Sequence, residues 1–515
     1  MGIERVQPKR KHSVIVRLFI FLIGGGVLLL ALIIAACVWD SHRSDYAWKQ
    51  FEDRVNAAGL YLGQDLLFPS LPADNQNFAG ISSLRVLVNT NEFLSVPEVV
   101  SSLSEEHCVH QPEDLPDRFW YTGYSWTAED VRQVLHSCGA AMSPEPEVTP
   151  QGNLQFFEIF EPQFQELKAG LERPFCQFWT PFEMGPQINT LHLNELYKMS
   201  LLISARAVTQ LSMGRSQAAM EDQIFSWNLI HRMSSDRTIT AALDCESCFL
   251  YSLQPLWQGI TQHFWDKDQL TQLQAEVNRF DFIRSFKRNM LFETLWIVSL
   301  KDFIENAWII DAVGITIEKL RLSDKIVDSL LGNERFANFI FNNIPTGWLR
   351  MNLINLAESV FNYCDEVYRV DEHRIVPKKT AGLIRDFGSE YENSLNPDRL
   401  IAARFKDALF SETIPQNAAR GQAFVDMAGI ACLLELSYLD QKKYPETLEE
   451  LALPEGAKLP TDVITGGNYL FSISSASFQL YSIGWDDRDN YGRMVESSSG
   501  MRDWVWPPSD HHPTL

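Results

Sequence analysis

The run Leu18–Trp39, LFIFLIGGGVLLLALIIAACVW, contains no charged side chain, and it constrains this chain more than any other stretch. A helix through it rises about 1.5 Å per residue and reaches about 33 Å, matching a hydrocarbon core of about 30 Å. Lipid offers no partners for backbone amides, so a segment that crosses it must be helical. Arg5, Lys9, Arg10, Lys11 and Arg17 precede the run, and Asp40 follows it. That asymmetry predicts residues 1–17 as a cytoplasmic basic leader, residues 18–39 as a transmembrane helix, and the bulk of the chain outside the cytoplasm. Arg17 is placed to snorkel to the headgroups, and Trp39 to sit at the opposite interface.

Two other readings of the segment compete. A cleaved signal peptide has an apolar core of about 7–15 residues, shorter than this one. Ile34-Ala35-Ala36-Cys37 resembles the lipobox of bacterial lipoproteins, against which the long apolar run and basic leader both argue. Gly24-Gly25-Gly26 would permit close helix approach, but GxxxG spacing is missing.

The first 39 residues hold five of the 44 basic and one of the 66 acidic residues, so the remainder carries a net charge of −26. Such a surface repels phosphate backbones, which excludes nucleic acid as an expected partner. Beyond the anchor lie Cys108, Cys138, Cys176, Cys245, Cys248, Cys364 and Cys432, too sparse for a disulfide framework in a chain of 515 residues. If one bridge forms, Cys108–Cys138 is the expected pair. Cys245-Glu246-Ser247-Cys248 has redox-motif spacing but falls in a helical pattern, so two structural cysteines are expected there.

Residues 46–66 predict a helix leaving the membrane, and residues 40–150 otherwise read as irregular up to the linker Ser143–Pro150. Helical periodicity governs 151–415. Leu193, Leu196, Tyr197, Leu201, Val208 and Leu211 share one helix face, Gly214 stops that helix, and Ala219, Met220, Ile224 and Trp227 share a face of the next. This pair resembles a tetratricopeptide unit, but no second copy follows at that period. Further helices are expected at 267–283, 286–306 and 351–369, with a turn at Ile344-Pro345-Thr346-Gly347-Trp348. Residues 416–515 begin with a helix at 417–439. Alternating runs at Tyr469–Ile473 and Phe478–Ile483 then signal a hairpin. The expected fold is therefore mainly α, with one N-terminal transmembrane helix and a small α+β C-terminal module.

Tyr444-Pro445-x-x-Leu448-x-x-Leu451, Leu459-Pro460-x-Asp462, Leu480-Tyr481-Ser482-Ile483-Gly484 and the acidic glycine loop after it resemble the C-terminal module of type II secretion major pseudopilins. Several hundred residues separate this module from the N-terminus, which lacks the Gly-Phe-x-x-x-Glu prepilin signature, so assembly into a fibre is not implied. As a whole the chain resembles a group of membrane-anchored proteins of planctomycete and verrucomicrobial bacteria. These share a basic leader, one anchor, a helical middle, a Pro-Gly-Trp-like turn and a tail of the YSIGWDDRDN…RDWVW kind. That resemblance implies a bacterial cell membrane location, but no activity.

Asp486, Asp487, Asp489 and Asn490 are the candidate metal ligands, since Ca²⁺ takes six to eight oxygens and the corresponding pseudopilin loop binds calcium. The loop fails as an EF-hand, with Tyr491 at the fifth position and Ser498 at the twelfth; a solvated acidic turn is the competing reading. Glu105-Glu106-His107-Cys108-Val109-His110 gathers ligand-type side chains without HExxH spacing. Gly123-Tyr124-Ser125-Trp126-Thr127 lacks the closing glycine of a nucleophile elbow. Neither a phosphate-binding loop nor a dinucleotide fingerprint is present. His511-His512 read as a tail, and Trp504 and Trp506 as folding back on the C-terminal sheet. The leading expectation is a non-enzymatic envelope scaffold with a protein partner. The alternative is an envelope hydrolase or carbohydrate-processing enzyme whose carboxylates converge only in the fold.

Overall fold

A computed structural model describes residues 11–57, 60, 70–88, 125–178, 191–299, 346–392, 410–453, 458–474, 477–492 and 503–506. The chain forms two compact units. One comprises Met1–Gly63, Val298–Ser359 and Gly388–Lys406; the other comprises Gln64–Ile297, Val360–Phe387 and Asp407–Leu515.

In the first unit the apolar run and the helix expected after it are one element, α1 (Lys11–Ala57). No proline or glycine interrupts residues 40–57, so nothing breaks the ladder where the sequence turns polar. At about 1.5 Å per residue this helix is about 70 Å long, twice what a bilayer core needs. Its two halves behave differently. On the apolar half Phe21 is 80%, Leu28 63% and Leu32 59% exposed. On the polar half Ser44, Phe51 and Val55, spaced by seven and four, are buried along one stripe.

Every described helix after α1 can be placed in chain order. They are α2 (Ser82–Val88), α3 (Ala128–Ser137), α4 (Pro150–Phe157), α5 (Glu161–Leu171), α6 (Leu191–Ser212), α7 (Ser216–Met233), α8 (Ile239–Thr261), α9 (Lys267–Val277), α10 (Phe282–Ser299), α11 (Thr346–Val367), α12 (Pro377–Glu392) and α13 (Thr413–Gln441). The expected turn at 344–348 is corrected in part: Thr346, Gly347 and Trp348 open α11, with Pro345 immediately before it in sequence. Gly347 is there for close approach. A Cβ on it would lie 2.4 Å from Asp40 Oδ2 and 2.6 Å from the Asp40 carbonyl oxygen. Further along, Arg350 pairs with Asp45 and Glu358 with Arg54, so α11 runs beside α1 in the same direction.

The second unit is built on the α6–α7 hairpin. Gly214 turns it at φ +72°, where a side chain would be strained. Hydroxyls of Ser200, Ser204 and Ser226 bond across the helix pair, and Trp227 Nε1 donates to Ser252 Oγ on α8 at 2.9 Å. The two helices expected at 267–283 and 286–306 are Lys267–Val277 and Phe282–Ser299, with the break a few residues earlier than expected. Asp266 caps α9 through a box with Gln269, and Asp281 accepts from Arg284 N at the start of α10. Against these lies α13, rich in Ala and Gly so that neighbours approach closely. It is long and apolar enough to cross a membrane, but 72% of its apolar window is buried inside the protein, as in a core helix.

After α13 the expected hairpin forms: β1 (Leu470–Ser474) pairs antiparallel with β2 (Ser477–Ser482), Ile473 opposite Phe478. A third strand, β3 (Trp504–Trp506), pairs with β2 on its other edge, Tyr481 opposite Val505. Trp504 and Trp506 are thereby buried, as the fold-back reading expected. The mainly helical fold with a small antiparallel sheet is as expected; the sheet has one strand more.

Candidate functional site

Between Gly421 and Leu439 the core helix α13 carries only two charges, Asp426 and Glu435. A buried carboxylate needs hydrogen-bond partners, because its charge cannot be left bare in the interior. Each of these two recruits a histidine and a tyrosine from elsewhere in the fold.

Asp426 Oδ2 accepts from Tyr469 OH at 2.7 Å and meets His373 Nε2 at 2.7 Å, while Oδ1 accepts from Gln422 Nε2 at 3.0 Å. His373 sits at φ 52°, ψ 46°, closing the short turn Val370–Glu372. Burial alone would lower its pKa, but the Asp426 bond and charge, with Asp281 nearby, raise it above the usual histidine value. Close to Asp426, Asp462 accepts from Ser482 Oγ at 3.0 Å and from Ile464 N at 2.8 Å. Burial pushes the Asp462 carboxyl up, and the Asp426 charge adds to that.

Glu435 Oε1 meets His263 Nδ1 at 2.7 Å, and Oε2 accepts from Tyr444 OH at 3.0 Å. His263 also has a positive φ, 54°, and its ring stacks on Tyr438 at 4.2 Å; Tyr438 in turn stacks on Tyr444 at 4.9 Å. Burial raises the Glu435 carboxyl, opposed by the His263 hydrogen bond and charge.

The nine-residue step from Asp426 to Glu435 amounts to two and a half helical turns. The carboxylates leave opposite faces of α13, about 14 Å apart along the axis. They are two separate stations and cannot act together as the acid and base of a glycosidase, which lie about 5–9.5 Å apart. Other buried carboxylates are tied as firmly. Glu246 takes the Arg420 fork at 2.8 and 3.0 Å, Asp222 takes the Arg206 fork at 2.9 and 2.6 Å, and Asp236 meets His192 Nε2 at 2.9 Å. Burial would raise the Asp236 carboxyl, but His192 and Thr238 bring it below the usual range. The bidentate arginine geometry leaves the forked carboxylates little freedom to turn.

The structure brings Asp486, Asp489 and Asn490 into one loop and adds Asp503, which the sequence reading missed. Asp503 is the hub, accepting from Asn490 N at 3.0 Å and Gly492 N at 2.8 Å. Asp486 Oδ1 accepts from Arg488 N at 3.1 Å, and Asp489 Oδ1 from Tyr491 N at 2.7 Å and Tyr481 OH at 3.3 Å. Asp487 leaves the group to pair with Lys378 Nζ at 2.5 Å. The backbone N–H bonds to Asp486 Oδ1, Asp489 Oδ1 and Asp503 Oδ2 fold the loop around Asp503.

The CxxC cysteines lie on the buried face of α8. Both are free and buried, and burial holds both thiols far above their usual pKa, the opposite of a reactive thiolate. Cys138 is also free and buried; Cys108, and with it Glu105–His110, lies outside the described residues, as do Gly123, Tyr124, His511 and His512. Ser125 Oγ accepts from Gln262 Nε2 at 3.1 Å, and Thr127 caps α3 in a box with Asp130. An acid inside an uncharged core helix was the sequence signal for Asp426 and Glu435. Their histidines, 53 and 172 residues away, gave none. Compared with protein-family models, curated proteins and solved structures, the chain matches none.

Proposed function

We propose that this chain is a single-pass anchored protein of the bacterial cell membrane, whose acidic extracytoplasmic body serves as a scaffold for a protein partner. The observation that carries the reading is the N-terminal half of α1, uncharged from Leu18 to Trp39, with Phe21, Leu28, Leu32 and Trp39 each more than half exposed. Large apolar side chains left in water cost about 1.5–3 kcal/mol each relative to burial, and a bilayer removes that cost. The scaffold part is supported by the ties of Glu246, Asp222, Asp236, Asp426 and Glu435 to arginine, histidine or tyrosine partners. The test is chemical cross-linking in native membranes followed by identification of neighbours. A reproducible protein neighbour captured by the full chain is the expected result; its loss under mild conditions counts against the scaffold.

A second reading, an envelope hydrolase acting on glycans, is favoured by one feature: Asp426 and Asp462 are buried within each other's field beside His373, whose side chain is 36% exposed. On that reading the purified full chain hydrolyses envelope polysaccharide, and Asp426→Asn and Asp462→Asn each abolish the reaction. No hydrolysis by the wild-type chain refutes it.

A further inference from the structure

The first turn of α11 lies where the apolar run of α1 ends. Gly347 packs on Asp40, the first charged residue after the uncharged stretch, so closely that a Cβ would meet the Asp40 carbonyl oxygen at 2.6 Å. From that contact the two helices leave together, joined by Arg350–Asp45 and then Arg54–Glu358. Thus α11 begins at the level of Asp40 and runs away from the apolar half of α1.

If Leu18–Trp39 fills the hydrocarbon core, Asp40 stands in the headgroup layer, about 5–7 Å thick on each side. The Cα of Trp348 is one residue beyond Gly347, about 3.8 Å from its Cα, and so falls in the same layer. Trp348 is half-buried rather than sealed in a core. Tryptophan favours this zone because its ring is apolar and its N–H is polar. The local charge agrees. From Thr346 to Ala357 the sequence has no acidic residue and one arginine, Arg350, in a chain whose portion beyond the anchor carries −26. The acids of α1 beside this turn carry their own countercharge, Asp40 from Arg43 and Asp45 from Arg350, so an anionic leaflet tolerates it.

We propose that the first turn of α11, through Trp348, is a second membrane contact, seated in the lipid headgroup layer beside Trp39. The proposal rests on the membrane-anchor reading. Two contacts on helices packed side by side would hold the base of α1 at a fixed angle to the bilayer, where a lone spanning helix is free to tilt.

The test uses the full chain in vesicles of phosphatidylethanolamine and phosphatidylglycerol. A photo-cross-linking p-benzoylphenylalanine replaces Trp348, Trp39 or Tyr46 in turn. Tyr46 is 68% exposed but lies seven residues, about 10 Å, past Trp39. Lipid adducts at positions 39 and 348, several-fold above position 46, are expected. Adducts at 39 without adducts at 348, or protein adducts at 348, overturn the second contact and leave the anchor standing. No lipid adduct at 39 overturns both. Should the position-348 protein unfold at lower urea than wild type, Trp348→Cys carrying a bimane label takes its place. Quenching of the bimane by headgroup-labelled lipid supports the contact, and its failure overturns it.

Discussion

Replacing His373 isolates one half-exposed station of the core helix and gives a pH-dependent result. The ring meets Asp426 at 2.7 Å, and Asp426 is itself 5% exposed. A hydrogen bond to a charged group is worth about 1.5–3 kcal/mol when buried. Because the His373 side chain is 36% exposed, solvent screening reduces that to about 1–2 kcal/mol. The backbone separates a second effect. At φ 52° an alanine keeps the left-handed strain, whereas glycine does not, so His373→Gly should be about 1 kcal/mol more stable than His373→Ala. The pH dependence has a fixed sign. The folded-state pKa of His373 lies above its unfolded value of about 6.5, so its ionic contribution is complete below that pH and is lost as pH rises through the folded pKa. Urea unfolding of the full chain in detergent, followed by tryptophan fluorescence at pH 6 and pH 9, measures both effects. His373→Ala should cost more at pH 6 than at pH 9. An equal cost at the two pH values, or a glycine variant less stable than the alanine variant, refutes the reasoning.

Three further outcomes follow from the same geometry. Gly347→Ala gains about 1 kcal/mol of helix propensity but forces a Cβ to 2.6 Å from the Asp40 backbone; overpacking costs of about 1–3 kcal/mol should win, and a disulfide engineered between α1 and α11 should form more slowly in the variant. Cys245 and Cys248 should resist a thiol reagent in the native protein at pH 8 and react on unfolding, because burial raises both thiols; rapid native labelling would contradict this. If Asp486, Asp489 and Asn490 form a solvated acidic turn built around Asp503, calorimetric titration with CaCl₂ should give no heat of binding and no rise in unfolding temperature, whereas a saturable heat would show a calcium site there.

Much of the fold was legible because its signals are local. The apolar face of Leu193–Leu211, Gly214 and the face of Ala219–Trp227 give α6, the turn and α7 by spacing alone. Alternation gives β1 and β2, and the Trp-Val-Trp segment becomes β3 because two large rings next to a hairpin have an apolar face to cover. The boundaries failed where a neighbour decided them. Gly347 looks like a turn residue, yet it sits in the first turn of a helix because the backbone of α1 passes where its side chain would be. The stations on α13 were half legible. A lone Asp and a lone Glu in an apolar helix are visible, but their partners depend on long-range contacts and on left-handed backbone at His263 and His373, which no spacing encodes. In the acidic loop the ligand-type residues were visible and their hub, Asp503, was not, because it lies eleven residues beyond Gly492, just before β3.

On the proposed reading, α1 spans a membrane by its own apolar length. Alkaline carbonate extraction of membranes from cells making the full chain with Cys37→Ser tests it most directly, since the substitution removes any lipid on that cysteine. This protein should stay in the membrane pellet, while a chain lacking residues 18–39 should be released. Release of the Cys37→Ser protein into the supernatant would contradict it.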